Sequence, residues 1–97
     1  MIIEVLDVVA EAKSVKQLIE EKRGKKLRQP IPPIKSITFR LMDEGQIYAD
    51  TGDTAEQALL LDAAKEQIFA SLDNANLNGI RLLSGSGMLK VAVFATY

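Results

Sequence analysis

The sequence predicts a two-layer α+β fold, in which two hairpins form a four-stranded antiparallel sheet and two helices cover one face of it. Three observations give this order, α-β-β-α-β-β: apolar residues recur at helical spacing in two segments, alternate in others, and are separated by Gly, Pro, Asp and Asn. The length of 97 residues, with 47% apolar and 26% charged residues, is that of one globular domain. We therefore expect a single domain over residues 1–97.

The first predicted element is a helix over residues 1–23. Its apolar positions recur at spacings of four and three: Met1, Val5, Val8, Ala12, Val15 and Ile19. Gly24 is a suitable residue to end it, and Lys22 and Arg23 are favourable near the negative end of a helix.

An alternative reading of the same segment is a strand followed by a shorter helix. Residues 2–9 are rich in Ile and Val, which favour strands. In this reading Ser14 is the N-cap of the helix and Gln17 completes a capping box.

A basic, proline-rich arm is predicted over residues 24–35. Pro30, Pro32 and Pro33 exclude a helix there and favour an extended backbone. A first hairpin follows: residues 36–42 alternate apolar and polar, residues 43–45 form the turn, and residues 46–50 return.

A second helix is predicted from Asp53 to about Leu72, with Asp53 as N-cap and Glu56 closing a capping box. A second hairpin is then predicted, with strands over residues 80–84 and 88–97 and a turn over residues 85–87.

The last predicted strand is apolar on both faces, and this pattern predicts self-association. One face carries Leu89 and Val91, among others, and the other carries Met88, Ala92 and Phe94. A strand buried on both faces needs cover on both sides, and two helices cover only one side of the sheet. We therefore expect a homo-oligomer that contacts its copy through Met88, Ala92 and Phe94. The alternative is an outer face that is merely half exposed.

Charge is segregated along the chain, although the net charge is only −1. Residues 22–40 carry seven basic side chains and no acidic one, whereas residues 43–73 carry eight acidic side chains against one lysine. The densest part, here called the basic cluster, consists of Lys22, Arg23, Lys25, Lys26 and Arg28. It predicts docking of a protein partner, including the acidic surface of another copy; the alternatives are nucleic-acid phosphates and a solvated charge run without a partner.

The residues Asp50-Thr51-Gly52, at the end of an apolar strand, resemble the local signature of aspartic proteases. The resemblance implies a homodimer in which Asp50 of each subunit shares a catalytic proton. It covers only these few residues, and the helix predicted after them does not suit a family that is nearly all β.

The remaining composition favours a non-enzymatic function. The chain has no histidine and no cysteine, which excludes Ser-His and Cys-His catalysis and a structural zinc site. We expect no metal and no cofactor. Residues 1–11 lack a signal-peptide pattern and acids interrupt their apolar run, so we also expect no membrane contact and a cytoplasmic location. The sequence thus predicts a small assembly or adaptor subunit, with a nucleic-acid-associated regulator as the alternative.

Overall fold

The computed structural model describes residues 1–28, 33–50, 58–65, 68–75, 77, 79–85 and 87–96. These form strands, one α-helix and one 3-10 turn. Their order is β1 (Ile2–Val8), β2 (Lys13–Ser14), α1 (Val15–Arg23), β3 (Ile34–Leu41), β4 (Gln46–Asp50), β5 (Ala58–Asp62), the 3-10 turn (Ala63–Lys65), β6 (Phe69–Ala75), β7 (Arg81–Ser84) and β8 (Leu89–Thr96).

The strands form two antiparallel sheets of four strands each. The first sheet has the order β1-β8-β3-β6 and the second has the order β2-β7-β4-β5. One apolar cluster draws on both sheets and on α1, and its fully buried members include Leu6, Ile19, Phe39, Leu61 and Leu82. The predicted α+β fold with two helices on a four-stranded sheet is therefore wrong: this is mainly a β protein.

The N-terminal segment adopts the alternative reading, a strand and a short helix, and the long helix over residues 1–23 is wrong. Ile2, Leu6 and Val8 of β1 are buried in the core, and α1 begins only after Ser14. The Ser14 hydroxyl accepts a hydrogen bond from the Gln17 backbone N–H at 3.1 Å, as expected of an N-cap.

The helix α1 ends at Gly24, which adopts a left-handed conformation with φ of 73°. Its N–H donates to the Glu20 carbonyl at 2.9 Å. We expect Gly24→Ala to lower the free energy of unfolding by about 1 kcal/mol, because an L-residue is strained at this φ although no atom lies within 4 Å of the added Cβ. Urea unfolding measures the change.

Gly85→Ala is the control for that substitution. Its added Cβ would meet only ordinary van der Waals neighbours, the nearest at 3.4 Å on Tyr48. If Gly24→Ala cost no more than Gly85→Ala, the left-handed conformation at the end of α1 would be contradicted.

The strands of both predicted hairpins exist, but the hairpins do not. The strand β3 pairs with β8 and β6, and β4 pairs with β5 and β7, so the turn over residues 43–45 crosses from one sheet to the other. The turn between β7 and β8 crosses in the same way.

These two crossings pack against each other, and that contact explains why they are not hairpins. The Asp43 Oδ2 atom accepts the Lys90 N–H at 2.8 Å, and the Gly85 N–H donates to the Gln46 carbonyl at 2.9 Å. The turn between β3 and β4 thus bonds to β8, and the turn between β7 and β8 bonds to β4.

The second predicted helix is also wrong. Where it overlaps the described residues, the chain forms β5, the 3-10 turn and β6. Among the described strands these lie at the sheet edges: β5 pairs with β4, and β6 pairs with β3. The predicted caps Asp53 and Glu56 lie outside the described residues, as do Pro30 and Pro32 of the basic arm.

Candidate functional site

The face of the first sheet that points away from the core is the main candidate site. Strand alternation and the pairing register place two rows of side chains across it. One row is Ile3, Phe94, Thr38 and Ser71; the next is Val5, Ala92, Arg40 and Phe69. Asp7 and Lys90 form the beginning of a third row. We call these ten residues the outer face.

Most exposed large apolar side chains of the described residues lie on this face or beside it. There are seven in all, and Leu59 of β5 lies elsewhere. On the face itself, Ile3 is 61% exposed, Phe69 is 55% exposed and Phe94 is 43% exposed. The three others, Met1, Met42 and Met88, directly precede or follow β1, β3 and β8. A concentration of this kind is typical of an interaction surface.

Several polar side chains of the outer face have partners within the chain. The hydroxyls of Thr38 and Ser71 lie 3.0 Å apart and form a hydrogen bond across β3 and β6. The Arg40 guanidinium lies over the Phe69 ring, 5.6 Å from its centroid, in a cation–π contact. Asp7 forms an ion pair with Lys22 of α1, with 3.5 Å between the charged atoms. Covering the face therefore leaves few of its polar groups unpaired.

The residues predicted for self-association have different environments in the single chain. Phe94 is 43% exposed on β8, an inner strand of the outer face, and Met88 is 59% exposed directly before β8. Ala92 is only 8% exposed, because its small side chain lies between the longer side chains of Val5 and Arg40 in the same row. Their role in self-association stays a prediction.

The basic cluster divides into two parts. Its two helical members contact acids of β1: Lys22 pairs with Asp7, and the Arg23 Nε atom donates to Glu4 Oε1. The end of α1 lies beside β1, which brings these opposite charges together. Both side chains are thus engaged within the chain.

The other three members, Lys25, Lys26 and Arg28, are exposed, and no ion pair joins them to another described residue. The backbone that carries them is anchored. Leu27 packs against the core, and its N–H donates to Glu20 Oε2 at 2.8 Å.

Glu20 connects this segment to α1. Its carboxylate accepts the Leu27 N–H and pairs with Lys16 at 3.3 Å. The Leu27 N–H, and after it Lys16 and Lys26, lowers the pKa of Glu20 by stabilising its charged form, while partial desolvation opposes the shift. The hydrogen bond from Leu27 to Glu20 is therefore favoured above the ordinary pKa of a glutamate, where the carboxylate is charged. It weakens as the pH falls through the lowered pKa of Glu20 and the carboxylate becomes protonated.

Asp62 is a fully buried carboxylate that the sequence did not single out. Its Oδ1 atom accepts the Ala64 N–H at 3.0 Å, which caps the 3-10 turn, and its Oδ2 atom has no hydrogen-bond partner among the described residues. No group of three or more His, Cys, Asp or Glu residues that could hold a metal is found in the described part of the chain. The observed contact of Asp62 is the bond that caps the 3-10 turn.

A small cleft lies between β1 and α1. Its volume is about 150 Å³, and it is lined by Asp7, Leu18, Glu21 and Lys22. Ligand pockets commonly measure about 300–1,000 Å³. Two of its lining groups, Asp7 and Lys22, also neutralise each other.

The protease resemblance gains nothing from the described residues. Asp50 is the last residue of β4, and Thr51 and Gly52 lie outside them. The objection that a helix follows the motif is itself wrong, because β5 comes next in the described chain. The hypothesis still depends on the same few residues.

Comparisons with known proteins found no match. No protein-family model matches the sequence, and neither a curated protein nor a solved structure matches the chain. Across the described residues, no helix is long and apolar enough to cross a membrane.

Sequence reasoning identified Phe94 but missed Ile3 and Phe69. Both were assigned to helices, where their neighbours in space would be residues three or four positions away. The available signal was the alternation of residues 2–8, in which Ile2, Leu6 and Val8 share one face and Ile3 lies on the other.

Proposed function

We propose that this protein is a non-enzymatic assembly subunit that self-associates through the outer face of its first sheet. The concentration of exposed apolar side chains on this face, with Phe94 on the inner strand β8 and Ile3 and Phe69 on the two edge strands β1 and β6, carries the proposal. The occupant that fits is a second copy of the chain.

The size of the face supports a copy as the occupant. Four strands about 4.8 Å apart and seven residues long span roughly 19 by 24 Å. Met1, Met42 and Met88 extend this footprint at the ends of the strands. Because side chains project from the sheet, the accessible area of the outer face is larger than this flat footprint. It is therefore closer to the roughly 800 Å² per partner of a standard interface.

The face carries few charges. Arg40 and Lys90 are its cations, and its one acid, Asp7, is paired with Lys22 of α1. With two cations on each copy, repulsion between copies is modest and is screened by salt. Two apolar sheet faces pack directly at about 10 Å. A twofold arrangement would bring the same patch of both subunits together.

Phe94→Glu tests the proposal. Because the substitution places a charge among the exposed apolar side chains of the face on both subunits, we expect the dimer Kd to rise about 30-fold or more, the loss that corresponds to a hot-spot residue. Sedimentation equilibrium over a range of concentrations should show a mass of about twice 10.6 kDa for the unmodified protein and 10.6 kDa for the variant. Circular dichroism would confirm that the variant remains folded.

Leu59→Glu is the matched control, because Leu59 is 37% exposed on β5 of the second sheet. It should leave the mass unchanged. A protein that remains at 10.6 kDa up to about millimolar concentration, where even a weak Kd would be detected, would refute self-association. Dissociation by Leu59→Glu but not by Phe94→Glu would assign the interface to the second sheet instead.

A further inference from the structure

We infer that the segment after α1 is a binding site for the phosphate backbone of nucleic acid, and that Lys25, Lys26 and Arg28 form it. This site shares no residue with the outer face. It names a partner class for the basic cluster, and it stands whether or not the chain self-associates.

The first argument is that the three cations are available. Within the basic cluster, Lys22 and Arg23 are engaged by acids of β1. Lys25, Lys26 and Arg28 are exposed and form no ion pair with the described residues, although Lys26 acts on Glu20 at longer range. A charged partner would therefore not have to break an existing ion pair.

The second argument is that the backbone beneath these cations is held in place. Gly24 turns the chain at the end of α1, and Leu27 fixes it again three residues later by packing on the core and bonding to Glu20. Binding then requires less ordering of the backbone, which reduces the entropic cost of association.

The third argument concerns the kind of partner. Protein interfaces depend on aromatic and apolar anchors and are depleted in lysine. Residues 20–28 contain no exposed large apolar side chain, since Leu27 is turned to the core. Contacts to phosphates need only cations and hydrogen-bond donors. The same lack of exposed aromatics predicts little stacking on bases, and hence little sequence preference.

The strength of binding follows from the number of contacts. Three phosphate contacts on a duplex predict a slope of about −2.7 in a plot of log K against log salt, which is roughly a 40-fold loss of affinity between 50 and 200 mM salt. The net charge of −1 gives no general attraction to nucleic acid, so we expect a Kd near the weak end of non-specific binding, about 10⁻⁴ M.

The test is a fluorescence anisotropy titration of the intact protein with a labelled duplex of mixed sequence at several salt concentrations. The triple variant Lys25→Gln/Lys26→Gln/Arg28→Gln should lose at least 10-fold in affinity and most of the salt slope. The matched control Lys13→Gln/Lys35→Gln/Arg81→Gln removes two lysines and one arginine outside both the basic cluster and the outer face, and should lose much less.

The titration is repeated with Phe94→Glu, which separates this inference from self-association. If the protein is a dimer and the basic sites of both subunits contact the duplex, the salt slope is steeper for the unmodified protein than for Phe94→Glu. If the protein is a monomer, the two salt slopes are the same. No binding at 50 mM salt with the protein at about 10⁻⁴ M, or an equal loss in the control variant, would overturn the site. Binding to vesicles of anionic phospholipid, abolished by the triple variant, with none to the duplex would overturn nucleic acid as the partner.

Discussion

Phe39→Ala should lower the free energy of unfolding by about 3–5 kcal/mol, a large part of the roughly 5–15 kcal/mol that a domain of this kind possesses. Phe39 is fully buried on β3, between Val93 of β8 and Ala70 of β6 in the register. Truncating it leaves a cavity where both sheets contribute to the core. Chemical denaturation of the two proteins, at equal concentration, measures the change.

Phe69→Ala is the control that makes this prediction specific to the fold. It removes the same atoms from β6, where the ring is 55% exposed and contacts Arg40. We expect a cost of about 1 kcal/mol or less. Similar costs at the two positions would contradict the assignment of Phe39 to the core and of Phe69 to the outer face.

Gly45→Ala should cost about 2–4 kcal/mol, for two reasons that add. Gly45 has a φ of 147°, which an L-residue rarely adopts, and an added Cβ would lie 2.7 Å from Leu89 Cδ1. The substitution therefore strains the crossing between β3 and β4 and presses on the first residue of β8. Thermal or urea unfolding measures the loss.

Two further variants separate these causes. Gly87→Ala has a φ of 62° and no atom within 4 Å of the new Cβ, so it should cost only about 1 kcal/mol, from the backbone alone. In a double-mutant cycle, Leu89→Ala should reduce the cost of Gly45→Ala by about 1 kcal/mol or more, because it removes the clashing atoms. Strict additivity would contradict the close approach of the two residues.

The sequence predicted four of the strands, β3, β4, β7 and β8, but assigned them the wrong partners. The alternation in residues 36–42 identified β3, and the glycines at 45, 85 and 87 identified the places where the chain turns. A turn of this length also suits a hairpin, however. The hydrogen bond from the beginning of β8 to residues 43–45 joins segments that are far apart in the sequence, and no local sequence pattern predicts it.

The edge strands show a second limit. Residues 58–72 are rich in Ala, Leu, Lys, Glu and Gln, which favour helix, and their apolar positions also fit a helical period. Pairing with β4 and β3 overrides that preference, as long-range contacts often override local propensity. The outer face could not be predicted because it combines residues of four strands whose order was unknown.

The position of β8 has a consequence for the synthesis of the protein. This strand separates β1 from β3, yet a ribosome makes it after both of them. Pairs such as Ile2 with Ala95 cannot form before then, and assembly that depends on such distant segments is slow and exposes apolar strands meanwhile. We therefore expect the edges of β1 and β3 that pair with β8 to stay exposed in the nascent chain until β8 has emerged from the ribosome.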